Sequence, residues 1–453
     1  MTKMKWALIV LVMLLLLGWL KLFYKTHTEN TVAKSADCII VLDVKRITNT
    51  LIWNFITTPG QWKNSSVFSS SKNEVGWDDM VKIPDYVFVF HAHNHPANAW
   101  YAVFQIKDKT DFNKGLQQYH FEKVATLNNQ QQYFSKEQGI EIIQSGDNLL
   151  LGNNAVEDKT YINGIATELF VKKQYTAKEQ LKKNVAANSH LTIQILKNNF
   201  LQEDAVITAN FDNTKIVIDA LLAPQKQFSF AENNFNYTSS SLCALGFTQP
   251  PTPVYDLFFD SAKTGISRVV NFNIDSLLLQ SNTNYQLDIA AIQPRSDSAI
   301  TYSYDDNFNP VEKVVVNNVL EPAFNFIVKG NVVANIYNYW SSSGKIEQTA
   351  AGNLFVPMPF VKSYCSKNNE QELTITSNNY QLQQTDSTVN CILFLNILLT
   401  KIPAPLLNYL PADVMKAITN IESVKVLAKK TNGQIIVHCS FNKKKNDLPI
   451  IEW

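Results

Sequence analysis

The chain has 453 residues, 45% of them hydrophobic and 17% charged, with a formal net charge of +1. Domains usually hold roughly 100–200 residues, so two folded units are expected, and the apolar content excludes a disordered chain. Near-neutral charge offers no field for nucleic acid, and Arg46, Arg268 and Arg295 are the only arginines, which speaks against bidentate phosphate recognition.

Trp6–Leu20 is an unbroken apolar run of fifteen, and Leu22–Tyr24 extends it past Lys21. A hydrocarbon core asks for about 20 apolar residues. With Lys21 snorkelling toward the interface and aromatic residues at both ends, residues 6–24 are expected to form a transmembrane signal-anchor. A cleaved signal peptide would end in a small-x-small site, whereas Gly18-Trp19-Leu20-Lys21 offers bulky side chains. Lys3 and Lys5 nearly balance Lys21 and Lys25, so the orientation taken is that of a bacterial signal-anchor. Residues 1–5 then form a cytoplasmic tip, 6–24 lie in the lipid bilayer and 25–36 form a linker. The chain is thus expected to be a single-pass membrane protein with its bulk outside the cytoplasm.

CIIVLDVKRITNTL (38–51) reads as a short buried strand running into a helix, and 61–76 as a loop. Tyr86–Phe90 and Trp100–Ile106 read as strands either side of a turn with Asn94, Pro96 and Asn98. Phe112, Leu116 and Tyr119 are at helical spacing within Thr110–His120. Hairpins are expected where Ile140–Ile143 and Leu149–Leu151 flank Ser145-Gly146-Asp147-Asn148, and where Val206–Phe211 and Ile216–Leu222 flank Asp212-Asn213. Thr176 and Glu179 form a capping box ahead of a polar helix.

Residues 231–262 lose periodicity and gather Ser and Pro; they are the expected linker between domain 1 (37–230) and domain 2 (263–453). Strands follow near Tyr285–Ile292, Lys313–Val316, Phe324–Val328 and Glu372–Thr376. Thr388–Lys401, containing the apolar run CILFLNILL, and Pro411–Thr419 read as helices. Val424–Ala428 and Ile435–Cys439 flank Asn432-Gly433, the strongest short hairpin signal. IIVLDVKRI (39–47) and VVNFNIDSL (269–277) share a pattern of apolar and polar positions, so each could open a duplicated half. The expected class is α+β: an N-terminal transmembrane helix, then two strand-rich, mostly antiparallel, hairpin-built domains with a few helices.

No two of the fourteen glycines lie within five positions of each other. That excludes G-x-G-x-x-G, the P-loop and the G-x-S-x-G elbow, so no nucleotide and no cofactor is expected. Five cysteines carry no C-x-x-C, and three sit in apolar runs. They read as small buried hydrophobes, with one or two disulfides left open. Asp305-Asp306-Asn307-Phe308-Asn309 starts like a calcium loop, but Pro310 replaces its glycine and Val316 its glutamate. The one concentration of reactive groups is His91-Ala-His93-Asn-His95. Alternate residues on a strand share a face, so His91, His93 and His95 are candidate metal ligands. A polar hairpin tip is the alternative.

Three segments carry a family resemblance: CIIVLDVKRI, ITANFDNTKIVIDA, and IESVKVLAKKTNGQIIVHCSFNKKKNDLP. With them the chain resembles uncharacterised membrane-anchored Bacteroidetes envelope proteins with domains of unknown function, a resemblance that implies no activity. The function expected is non-enzymatic: binding or scaffolding of an envelope protein, glycan or lipid. A metal-dependent enzyme or metal-binding protein centred on His91, His93 and His95 is the alternative.

Overall fold

The computed structural model describes residues 25–26, 30–62, 75–127, 130–153, 160–228, 230–249, 267, 282–304, 308–358, 361–381, 384–408, 415, 418–445 and 449–450. Its contacts divide the chain into two compact units, the first running to Ala223 and the second from Pro224 to Lys445.

In the first unit β1 (Ala36–Asp43) passes directly into α1 (Val44–Thr57), with Asp43 as the cap. Asp43 accepts a hydrogen bond from the Arg46 amide at 2.8 Å, the usual service of an acidic N-cap, and also holds the Lys25 ammonium. A short helix α2 (Trp77–Met80) and strand β2 (Val81–Lys82) precede β3 (Tyr86–Ala92) and β4 (Tyr101–Ile106). Helix α3 (Lys109–Gln118) leads into a four-strand meander: β5 (Glu122–Leu127), β6 (Gln130–Ser135), β7 (Ile140–Ser145) and β8 (Asn148–Asn153). Helices α4 (Thr160–Ala166) and α5 (Lys178–Ala186) return the chain to β9 (Leu191–Ile195), β10 (Ala205–Phe211) and β11 (Lys215–Leu222). All pairings are antiparallel, in the order β5-β6-β7-β8-β4-β3-β1-β9-β10-β11, with β2 also beside β4. Alternation along β1 and β3 turns Ile39, Val41, Phe88 and Phe90 into a core shared with Ile162, Ile165 and Leu169. Phe112 and Leu116 of α3 pack with Met80, Ile142 and Leu149.

The second unit opens with β12 (Asn233–Tyr237) and β13 (Cys243–Thr248). Two long strands follow, β14 (Asn284–Tyr304) and β15 (Pro310–Lys329), then helix α6 (Val333–Ser342). A second meander, β16 (Ile346–Thr349), β17 (Gly352–Phe355), β18 (Ser363–Asn369) and β19 (Glu372–Ser377), leads to β20 (Ser387–Cys391) and β21 (Leu393–Leu398). After the short helix α7 (Ala404–Leu407), β22 (Ile421–Thr431) and β23 (Gln434–Lys443) close the unit. The order is β16-β17-β18-β19-β15-β14-β13-β21-β22-β23, again antiparallel, with β12 and β20 paired separately. Val333, Ile336 and Trp340 repeat at helical spacing and seat α6 on Tyr285, Phe324 and Phe355.

The two orders are the same order. A central strand (β1 or β13) is followed by a pair, a helix, a four-strand meander and three strands on the far side of the centre. The chain is therefore an internal duplication at the level of topology. Its second copy opens at β13, earlier than the echo at 269–277, which lies outside the described residues.

Several expectations are corrected. Among the described residues no helix is long and apolar enough to cross a membrane. The fold class is accordingly mostly antiparallel sheet with short helices, without the expected transmembrane helix, and the signal-anchor and single-pass assignments go with it. The physical reason is length: among the described residues the longest helix, α1, has fourteen residues, short of the roughly 20 a bilayer requires. Residues 1–24, on which those expectations fell, lie outside the described residues. The stretch read as a 25–36 linker carries the fully buried Val32 and Ala33, and Ser35 donates to Glu168 at 2.6 Å. The 231–262 stretch holds two strands, one of them the centre of its sheet. CILFLNILL is a strand, β21, flanked by β13 and β22, because a short apolar run has no period that separates helix from strand. The α5 cap is Ala177, and Thr176 instead gives its hydroxyl to the Ala33 carbonyl at 2.7 Å. Most of Pro411–Thr419 lies outside the described residues.

Candidate functional site

The three histidines sit where β3 ends and the chain turns toward β4. Asn94 takes the left-handed conformation at φ 64°, which a short amide side chain tolerates. The alternation of β3 buries Phe88, Phe90 and Ala92 and turns His91 to the other face. A register shift between Ala36 and Cys38 leaves Asp37 in the irregular step beside His91. The His91 Nδ1 lies 2.6 Å from Asp37 Oδ1, and its Nε2 lies 3.0 Å from the Pro96 carbonyl. His93 is 74% exposed, with Nδ1 3.8 Å from the other oxygen of Asp37.

His95 goes elsewhere. Its Nδ1 meets the Tyr101 hydroxyl at 2.9 Å, and its ring lies 4.8 Å from that of Tyr161. Burial, and then the neighbouring His91, lower its pKa, while burial pushes the Tyr101 phenol up to about 12. Two imidazoles thus turn to one carboxylate and the third to a phenol. Among the described residues no group of three or more His, Cys, Asp and Glu is placed to hold a metal ion.

Asp37, His91, His93, Trp100, Lys197 and Asn198 line an open cavity of about 420 Å³. Asp37 and His91 look like the orienting half of a catalytic triad. However, the Nε2 that a general base would present to its substrate is held by a backbone carbonyl. Cys38, beside them, is no thiolate: burial, and then Asp37, push its thiol up to about 11.

A second feature was invisible to motif reading. Strands β14 and β15 pair with β13 and β19 only through Asn284–Ile289 and Asn325–Lys329. From Ala291 opposite Ala323 to Tyr304 opposite Pro310 they pair with each other, and among the described residues no third strand joins either. At the ordinary rise per residue this two-stranded arm is about 45 Å long. Opposite residues of an antiparallel pair share a face, so Ser298, Ile300, Tyr302 and Tyr304 lie on one face with Val316, Val314, Glu312 and Pro310. Ile300 (62%), Tyr302 (63%), Tyr304 (71%) and Val314 (64%) are all exposed, as is Phe308 near the tip. The Tyr302 hydroxyl lies 3.4 Å from Glu312 Oε1. At the root, Arg295 lies 3.6 Å from the buried Glu321.

The signal in the sequence was the period-two run Ile300-Thr-Tyr-Ser-Tyr304 facing Val311–Val316. Sequence patterning places there only a strand near Lys313–Val316 and a failed calcium loop, whose residues 305–307 lie outside the described residues.

No family model matches the chain, and no curated protein matches it. Among solved structures it is similar to two crystal forms of TP0453. Form III is 10% identical over 43% of this chain and 78% of that one, with a TM-score of 0.28. Form I is 11% identical over 53% and 84%, with the same TM-score. Similarity at that level says nothing about activity.

Proposed function

We propose that the chain acts by binding a protein partner, with the β14–β15 arm as its docking element, and that it performs no catalysis. The observation that carries this reading is the arm itself. An isolated two-stranded hairpin is marginal in water, and a contiguous exposed apolar face marks an interaction site or an aggregation liability. Here the ribbon holds Ile300, Tyr302, Tyr304, Val314 and Val316 on one exposed face. The expected envelope protein or glycan partner narrows to a protein. A flat aliphatic and aromatic face suits apolar side chains of another chain, whereas small ligands ask for concave sites with convergent polar groups.

The test is site-specific photo-crosslinking in living cells, with a photoreactive residue at Ile300 of the full chain and, as control, at exposed Glu370. A discrete protein adduct at Ile300, absent at Glu370 and lost with Tyr302→Asp, is expected. Replacing 295–319 by a short turn should also abolish complementation of a strain lacking the protein. Full complementation by the armless chain, or equal labelling at both positions, would overturn the reading.

A further inference from the structure

The arm's apolar face is graded in size. From root to tip the β14 residues on that face are Ser296, Ser298, Ile300, Tyr302 and Tyr304. Small residues occupy the half nearest the sheet, aromatic residues the half nearest the tip, and Ile300 opposite Val314 lies midway. From this gradient, and resting on the docking reading above, we infer that the partner is a second copy of this chain. Two arms pack face to face and antiparallel about a two-fold axis through Ile300 and Val314.

That arrangement sets large against small along β14. Tyr302 of one copy lies over Ser298 and Val316 of the other, and Tyr304 over Ser296. The gap between the ribbons then stays even along their length, as close packing demands. Glu312 then lies over the partner's Val316, with the Ser298 hydroxyl beside it as a diagonal hydrogen-bond donor. Arms packed in parallel would set the bulky tyrosine ends together and the serine ends together, so the ribbons could not stay evenly spaced. A two-fold contact is self-complementary by construction, since each patch meets its own copy. The face offers roughly 600 Å² per copy, or about 1,200 Å² in all, from its aromatic and aliphatic side chains, which reaches the lower end of stable interfaces.

The experiment uses the full chain. Sedimentation velocity from about 1 to 100 µM should show a monomer–dimer equilibrium. Oxidative crosslinking then fixes the geometry, with the wild-type chain correcting for its own cysteines. Ile300→Cys should crosslink to itself, Ser298→Cys alone and Tyr302→Cys alone should not, and a mixture of the last two should. Ser298→Tyr separates packing from stickiness. It adds an aromatic beside Val316 without harm to the hairpin, yet fills the space that the partner's Tyr302 occupies, and should raise the dissociation constant at least tenfold. A chain that stays monomeric, a Tyr302→Cys self-link, or tighter association of Ser298→Tyr would each overturn the inference. A monomer that still gives arm-dependent adducts to another protein would refute self-association alone and leave the docking reading standing.

Discussion

His190 makes the stability of the first unit depend on pH in a way that one substitution can remove. The ring is buried between α1 and β10. Its Nδ1 accepts the Phe211 amide at 3.2 Å, its Nε2 lies 2.7 Å from the Thr50 hydroxyl, and it stacks on Phe211 at 4.1 Å. A nitrogen that accepts a backbone N–H carries no proton, so the ring is the neutral tautomer with hydrogen on Nε2. Protonating Nδ1 would break the Phe211 hydrogen bond inside the protein. Burial first, and then the positive charge of Arg46, push the pKa down from 6.5 to about 4. In the unfolded chain the same ring titrates near 6.5. The unfolded state therefore binds the extra proton first as pH falls, and folding loses free energy.

The stabilisation is complete above about pH 6.5, declines toward pH 4, and is gone below it. At about 1.36 kcal/mol per unit, the loss attributable to His190 reaches about 2 kcal/mol at pH 5 and about 3 kcal/mol at the acid limit. His190→Gln keeps an amide oxygen able to accept from Phe211 but does not titrate. Urea unfolding followed by tryptophan fluorescence at pH 7.5, 6 and 5 should show the wild-type chain losing about 2 kcal/mol more than this variant. His95, whose pKa is also lowered, titrates in both proteins and cancels in the difference. Equal pH dependence in the two chains would refute the assignment of a buried neutral imidazole at this position.

Trp340→Ala removes the centre of the second unit's core, a side chain 2% exposed whose ring lies 5.0 Å from that of Phe355. It should cost about 3–5 kcal/mol in urea titration, and a loss under 1 kcal/mol would contradict the packing described. Gly246→Val should destabilise by about 1–3 kcal/mol through overpacking, since a Cβ there would stand 2.2 Å from Phe394; unchanged thermal melting would count against it. Burial pushes the Cys365 thiol up to about 12, so iodoacetamide at pH 8 should label it at least tenfold slower in the folded chain than in urea, read by peptide mass. For the histidine hairpin, metal analysis of the purified chain should return no stoichiometric zinc. One equivalent, lost when His91, His93 and His95 are replaced together by Ala, would revive the metal-site alternative.

Local structure was legible in the sequence wherever a short stretch contains its own cause. Asp43 at the head of VKRITNTL caps a helix, Asn432-Gly433 turns a hairpin, and Phe112, Leu116 and Tyr119 mark one helical face, because each depends on neighbours within a few residues. CILFLNILL could not be assigned that way. A run that is apolar at nearly every position has no period to read, and its identity as β21 came from β13 and β22 on either side. The histidines at 91, 93 and 95 alternate as strand residues should, but the turn begins at His93, and rings on a turn no longer share a face. Asp37, brought beside His91 by a register shift between distant strands, could not have been named from spacing.

The duplication shows the same division. The two halves share a strand order but little sequence, because a sheet constrains which positions are apolar far more than which apolar residue fills them. Composition, apolar alternation between turn residues and glycine spacing determined that the chain is folded, strand-rich and without the usual phosphate cradles. Tertiary structure alone decided which strands are central and which run past their neighbours to become the β14–β15 arm. Alternating Ile300, Tyr302 and Tyr304 would read the same in a buried strand, and only the absence of a third strand beside them among the described residues leaves them facing water.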